Sequence, residues 1–140
     1  MENLTSVNKK YLWAPLLMIV MLAAIAVPSC AAGASSKENV TIGLVAKDFA
    51  FNTSTITVPA ASHVTVNFDN QDSNVRHNFA VYDSAAMNET IFKGELISGP
   101  KTIVYTFDAP AMPGTYHFQC DPHAKMMKGQ FIVTEKTVGC

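Results

Sequence analysis

"CDPHAKMMKG", Cys120 through Gly129, is the stretch on which the reading of this chain turns. A cysteine stands three residues before a histidine, and two methionines follow at once. Thiolate, imidazole and thioether donors are thus crowded into a single turn. Asp121-Pro122 is a turn signal, and the proline fixes one backbone dihedral, so the donors on either side of it scatter less. Just upstream, in "TYHFQC", Tyr116, Phe118 and Cys120 share one face of an expected strand, while His117 and Gln119 take the other. Cys120 is therefore expected to point inward at a strand end.

The same period of two recurs along the chain. Val40, Ile42 and Leu44 share a face in "NVTIGLVAKDF", as do Ile56 and Val58 in "TITV" and Val64, Val66 and Phe68 in "HVTVNF". His77, Phe79 and Val81 form the inward set of "HNFAVY", and Ile103, Tyr105 and Phe107 that of "TIVYTF"; "GQFIVTE" closes the series. Short β-rich runs separated by Gly, Pro, Asn and Asp predict an all-β, two-sheet antiparallel sandwich. Ser84 to Lys93 does not alternate and is expected to hold a short helix or a long loop. With 140 residues, 49% hydrophobic, and a formal charge of −1, the chain suits one domain and offers no basic surface for nucleic acid.

Strand phase sorts the four histidines. His63 and His117 fall out of phase with their inward neighbours and are expected at the surface. His77 shares the face of Phe79 and Val81, so its ring is aimed at the core, where a polar group needs partners. Cys120, His123 and the distant His77 then form a His₂Cys set. With a weak axial thioether, that is the donor arrangement of a blue copper site. Zinc suits the same donors. The spacing leaves Met126 and Met127 equally open as the axial ligand.

Three passages also resemble the cupredoxin family, in the plastocyanin, amicyanin and azurin group: "VRHNF", "PGTYHFQCDPH" and "MKGQFIV". The resemblance implies a single Greek-key β-sandwich holding one type 1 copper. In plastocyanin-like and amicyanin-like members the axial methionine stands two residues before a glycine that opens the last strand. That implies Met127, with Met126 as the alternative. It also implies that Asn78, after the first histidine ligand, bonds toward the cysteine loop, and that the ring edge of His123 is the electron port. Ala111, Met112, Pro113 and Ala124 are candidate apolar patch residues around that port, and Lys125 and Lys128 a candidate positive rim.

Ahead of the domain, "NKKYLWAPLLMIVMLAAIAVPSC" has two lysines, an apolar run from Tyr11 to Val27, and small residues. This is the layout of a secretory signal. The run is slightly shorter than the ~20 residues of a comfortable membrane span. "VPSC" resembles a lipoprotein signal, with Cys30 as the lipidated residue, although Pro28 departs from the pattern. Lipidation, plain cleavage and a retained anchor all place the domain outside the cytoplasm, in the periplasm or on the outer face of the membrane. The expected organisation is a signal or anchor over 1–30, a flexible linker over 31–39, a cupredoxin domain over 40–136 and a tail over 137–140. Cys140 is expected to be a free thiol on a frayed end rather than the disulfide partner of Cys120.

The functional expectation is a monomeric copper protein, not an enzyme, that carries single electrons between redox proteins of the cell envelope and associates with the membrane through its leader or a lipid. A carrier or sensor that delivers copper itself is the alternative. A metal-free β-sandwich interaction module would make the Cys-His proximity accidental. A nucleophilic Cys-His pair fits poorly, because reactive thiols are partly exposed and this one points inward.

Overall fold

A computed structural model describes residues 36–136; the leader with Cys30, the first residues of the linker, and Cys140 lie outside the described residues. The alternating runs become strands. They are β1 (Asn39–Lys47), β2 (Ala50–Phe51), β3 (Thr55–Pro59), β4 (His63–Asn70), β5 (Arg76–His77) and β6 (Ala80–Tyr82). β7 (Thr90–Lys93), β8 (Ile97–Ser98), β9 (Lys101–Asp108), β10 (Gly114–Gln119) and β11 (Lys128–Thr134) follow, with one 3₁₀ turn over Asp121–His123.

One sheet has the order β2-β1-β4-β9, the other β3-β11-β10-β6-β7, and β5 and β8 make a separate two-stranded ladder. The inward sets read from the sequence meet between the sheets. Leu44, Val64, Val66 and Phe68 come from the first sheet, and Ile56, Val58, Phe118, Phe131 and Val133 from the second, all at most 4% exposed. Each large side chain so buried contributes roughly 1.5–3 kcal/mol as an upper figure. Phe79 packs on Phe118 with ring centroids 5.6 Å apart, so the core reaches the strand that carries Cys120.

The all-β sandwich is as expected, but its sheets are mixed. β1 pairs parallel to β4, and β3 pairs parallel to β11. The period of two decides which face is buried and is silent on which neighbour a strand takes. Here β3 lies in the second sheet between two strands of the first, and that crossover lets β4 return beside β1 in the same direction.

Two local expectations also change. Of the short helix or long loop expected over Ser84–Lys93, residues 84–89 are a turn-rich loop, while Thr90–Lys93 is instead a short edge strand on β6. "HNFAVY" is two strands split at Asn78-Phe79, and every residue from His77 to Tyr82 is buried. Alternation fails there because the outer side is covered too: Tyr82 donates its hydroxyl to Asp121 at 2.7 Å.

The last residues of the stretch expected to be a linker touch the domain, and Asn39 already opens β1. The Glu38 carbonyl accepts the His63 N–H at 2.8 Å, and Lys37 pairs with Asp108 at 2.6 Å.

Candidate metal centre

β10 and β11 pair from Gly114↔Val133 to Gln119↔Lys128, so residues 120–127 project as a loop from one end of the sandwich. The loop closes on itself. The Cys120 N–H donates to the Met127 carbonyl at 2.9 Å, which holds those two residues side by side. Cys120 is still extended (φ −94°, ψ 117°), and the 3₁₀ turn from Asp121, with Pro122 in its first positions, brings His123 back over the cysteine. The His123 N–H donates to the Cys120 carbonyl at 3.0 Å, and the His123 carbonyl accepts the N–H groups of Met126 and Met127, each at 2.9 Å. This turn buries Met127 completely and leaves Met126 63% exposed. Gly129 lets the closing strand approach, because a Cβ there would lie 2.5 Å from Phe118 Cζ and also strike the Ser54 carbonyl.

β5 delivers His77 to the same end, fully buried. Its Nδ1 lies 3.4 Å from Cys120 Sγ and 3.1 Å from His123 Nδ1, and Cys120 Sγ lies 3.6 Å from His123 Nδ1. Among the described residues these three form the group of donors able to hold an ion, all within 4.8 Å of one another. Bonds of about 2.0–2.3 Å in a trigonal plane would separate such donors by roughly 3.5–3.7 Å, close to this triangle. Two imidazole nitrogens and a sulfur gathered in a buried place, with a buried thioether residue adjacent, fit a copper ion by donor type as well as by size.

Burial pushes the Cys120 thiol up, and the N–H groups of Asn78 and His123 pull against that shift. Burial, and then the nearby His77, push His123 below the ordinary histidine range, which leaves its ring neutral and able to donate a lone pair.

Asn78 joins the two ligand segments. Its Oδ1 accepts the Asp121 N–H at 2.8 Å, while its Nδ2 donates to Asp121 Oδ2 and to the Gly94 carbonyl, both at 3.1 Å. Asp121 also receives the Tyr82 hydroxyl, Gln119 Nε2 at 3.3 Å and Lys93 Nζ at 3.1 Å. Burial works to raise its carboxyl, but these donors together hold it below the usual range.

The family model for the cupredoxin-like domain matches residues 16–133. The chain belongs to the cupredoxin-like family. Among solved structures, this cupredoxin is similar to auracyanin A, a "blue" copper protein of the green thermophilic photosynthetic bacterium Chloroflexus aurantiacus. The two are 27% identical with a TM-score of 0.62, over 69% of this chain and 99% of that one. Auracyanin of Roseiflexus castenholzii (24% identity, TM-score 0.57, 67% of this chain and 96% of that one) shares the fold. So does rusticyanin of Thiobacillus ferrooxidans (20% identity, TM-score 0.59, 71% of this chain and 79% of that one). No curated protein matches the sequence.

The rest of the expected site is distributed unevenly in this cupredoxin. Ala124 and Lys125 line a depression of about 430 Å³ with Pro122, His123 and Met126. Ala111, Met112 and Pro113 do not belong to it. They precede Gly114, which pairs with Val133 at the far end of β10, and Ala111 and Met112 line a different cleft with Asp83 and Glu89. Their apolar character was legible, but the strand that follows carries the chain the length of the sheet before it reaches Cys120. His63 pairs with Asp108 at 3.0 Å, near that far end, and His117 bonds Gln119 at 3.1 Å.

Two residues at the site carry no motif. Asp72 accepts a hydrogen bond from His77 Nε2 at 2.8 Å. Phe49 sets its ring edge-on to both imidazoles, 5.8 Å from His77 and 5.0 Å from His123 between centroids. Phe49 closes the first run, in the turn after β1, and Asp72 lies in a bend after β4, so neither is part of an inward-facing set that strand phase could single out.

Proposed function

We propose that His77, Cys120, His123 and Met127 hold one type 1 copper, and that the protein carries single electrons between redox partners in the cell envelope. The observation that carries this reading is the convergence of His77 Nδ1, Cys120 Sγ and His123 Nδ1 within 4.8 Å. Copper, when bound, supplies the one-electron couple. Met127 would supply the thioether, a reading supported by its buried side chain, while that of Met126 faces solvent. The hydrogen-bonded loop and its tie to Asn78 keep the donors nearly fixed, which is the condition for small reorganisation when charge changes. Half-buried His123 is the electron port. Pro122, Ala124, Met126 and Phe49 form the apolar surface around it, with Lys125 as a positive edge that steers an acidic partner.

Complete burial of Cys120 and Met127 favours electron carriage over delivery of the ion, which needs an exposed path for ligand exchange. The envelope location rests on the composition of the leader, with Cys30 as the candidate lipidation site and 31–39 as the linker. Among the described residues no helix is long and apolar enough to cross a membrane.

Addition of Cu(II) to the full chain should give an intense thiolate-to-copper absorption band with the small hyperfine splitting of a type 1 centre in spin resonance. Cys120→Ser should abolish the band. Met127→Leu should retune it and Met126→Leu should leave it unchanged. A colourless wild-type protein, or tuning by Met126→Leu alone, would contradict the assignment.

A further inference from the structure

We infer that Asp72 is a positioning residue for the metal centre: its carboxylate holds His77 in the Nε2–H form and makes that imidazole the stronger, oxidised-state-favouring donor. The inference rests on the copper reading above.

Three N–H groups meet this one carboxylate. The Asp48 N–H reaches Oδ1 at 2.7 Å, the Phe49 N–H reaches Oδ2 at 3.1 Å, and His77 Nε2 reaches Oδ2 at 2.8 Å. An ionised carboxylate only accepts, so the ring proton of neutral His77 must sit on Nε2. Nδ1 is then the lone-pair nitrogen, and it is the atom facing Cys120 Sγ and His123 Nδ1. The tautomer that binding requires is therefore set before any ion arrives.

Asp72 is itself held. Its N–H donates to Asn70 Oδ1 at 3.0 Å, and buried Asn70 is tied in turn to the carbonyls of Val75 and Ile97, each at 2.9 Å. The side chains of His77 and Asp72 are 0% and 10% exposed, so water screens the negative charge poorly. Two backbone N–H groups and the His77 ring converge on its two oxygens, so both oxygens of the carboxylate are used as acceptors.

The same carboxylate docks the β1–β2 turn. Asp48 and Phe49 both lie in the left-handed region, with φ of 52° and 57°. That conformation disfavours a bulky residue. It persists where the turn amides have a fixed acceptor, and it lays the Phe49 ring across His77 and His123.

A fixed negative charge on the far side of one ligand ring favours the more positive oxidation state. The asymmetry is specific to His77: the polar contacts of the His123 ring are to Cys120 and His77.

The test compares the full wild-type chain with Asp72→Asn and with Asp69→Asn, which removes a carboxylate from the same strand region bonded to Gln71 and Thr102 instead. Asp72→Asn should lose roughly 10–100-fold in Cu(II) affinity and less in Cu(I) affinity. Each tenfold of difference raises the potential by about 59 mV. Asp69→Asn should move the potential much less. An unchanged potential in Asp72→Asn, or an equal shift in Asp69→Asn, overturns the inference. A readout free of metal is the nitrogen-15 spectrum of the His77 ring in the copper-free wild type at mildly alkaline pH. It should show the proton on Nε2, and a proton on Nδ1 overturns the inference even if Asp72→Asn fails to fold. If wild type gives no thiolate–copper band, the copper reading falls and the redox part with it, while the ring spectrum still decides the hydrogen bond.

Discussion

Replacing Asn78 by alanine tests how the two distant ligand segments are joined. The side chain is fully buried and makes three hydrogen bonds, two of them to Asp121. Those to the Gly94 carbonyl and from the Asp121 N–H are neutral and contribute about 0.5–1.5 kcal/mol each; the one to the Asp121 carboxylate is charge-assisted, about 1.5–3 kcal/mol. Asp121 keeps Tyr82, Gln119 and Lys93 as donors, so the charged contact should fall at the low end. The expected cost is about 3 kcal/mol, read as a drop in the urea midpoint of the copper-free chain at unchanged slope. Cu(II) affinity should fall as well, because the loop bearing Cys120 and His123 loses its tie to the His77 segment. Tyr82→Phe is the comparison: it removes one donor from Asp121 and leaves the tie intact, so it should cost about 1 kcal/mol with little loss of affinity. If Asn78→Ala cost no more than Tyr82→Phe and bound copper equally well, the turn's own hydrogen bonds would suffice to hold the loop, and the reasoning would be wrong.

Two further outcomes follow from contacts away from the donors. Gly129→Ala forces a methyl against Phe118 and the Ser54 carbonyl, so it should cost at least about 1–3 kcal/mol in thermal or urea unfolding and retune the copper band; wild-type stability would show that β11 can step aside. Asp108 is held below the ordinary carboxylate range first by Lys37 and then by His63. Its contribution is therefore present above the unfolded pKa of about 3.9 and is lost as pH falls through the lower folded value. The stability gap between wild type and Asp108→Asn should close as the pH drops below about 4; a gap that persists in acid would contradict the assignment.

Much of the fold was legible because burial in a sandwich writes a period of two into each strand. Val64, Val66 and Phe68, or Phe118 and Cys120, announce their face whatever strand lies beside them. Sheet order and the parallel β1–β4 and β3–β11 pairs were not legible, since a backbone hydrogen-bonds equally well to many partners and the choice depends on how crossovers close. Segment 77–82 misled for a related reason: covered on both sides, it loses the alternation that a half-exposed strand would show.

The sequence by itself determined the donor chemistry. A cysteine and a histidine three apart around a proline, with an inward histidine upstream, limit the site to soft and borderline metals whatever the details of packing. Only the tertiary structure decided which methionine faces the core, which carboxylate backs His77, which aromatic ring covers the pair, and that Met112 lies far from them. Ligand type is a property of single residues and survives in a string of letters. Distance and orientation arise from contacts between segments far apart along the chain, such as Asp72 with Phe49 and Asn78 with Asp121, and these exist only once the sheets have packed.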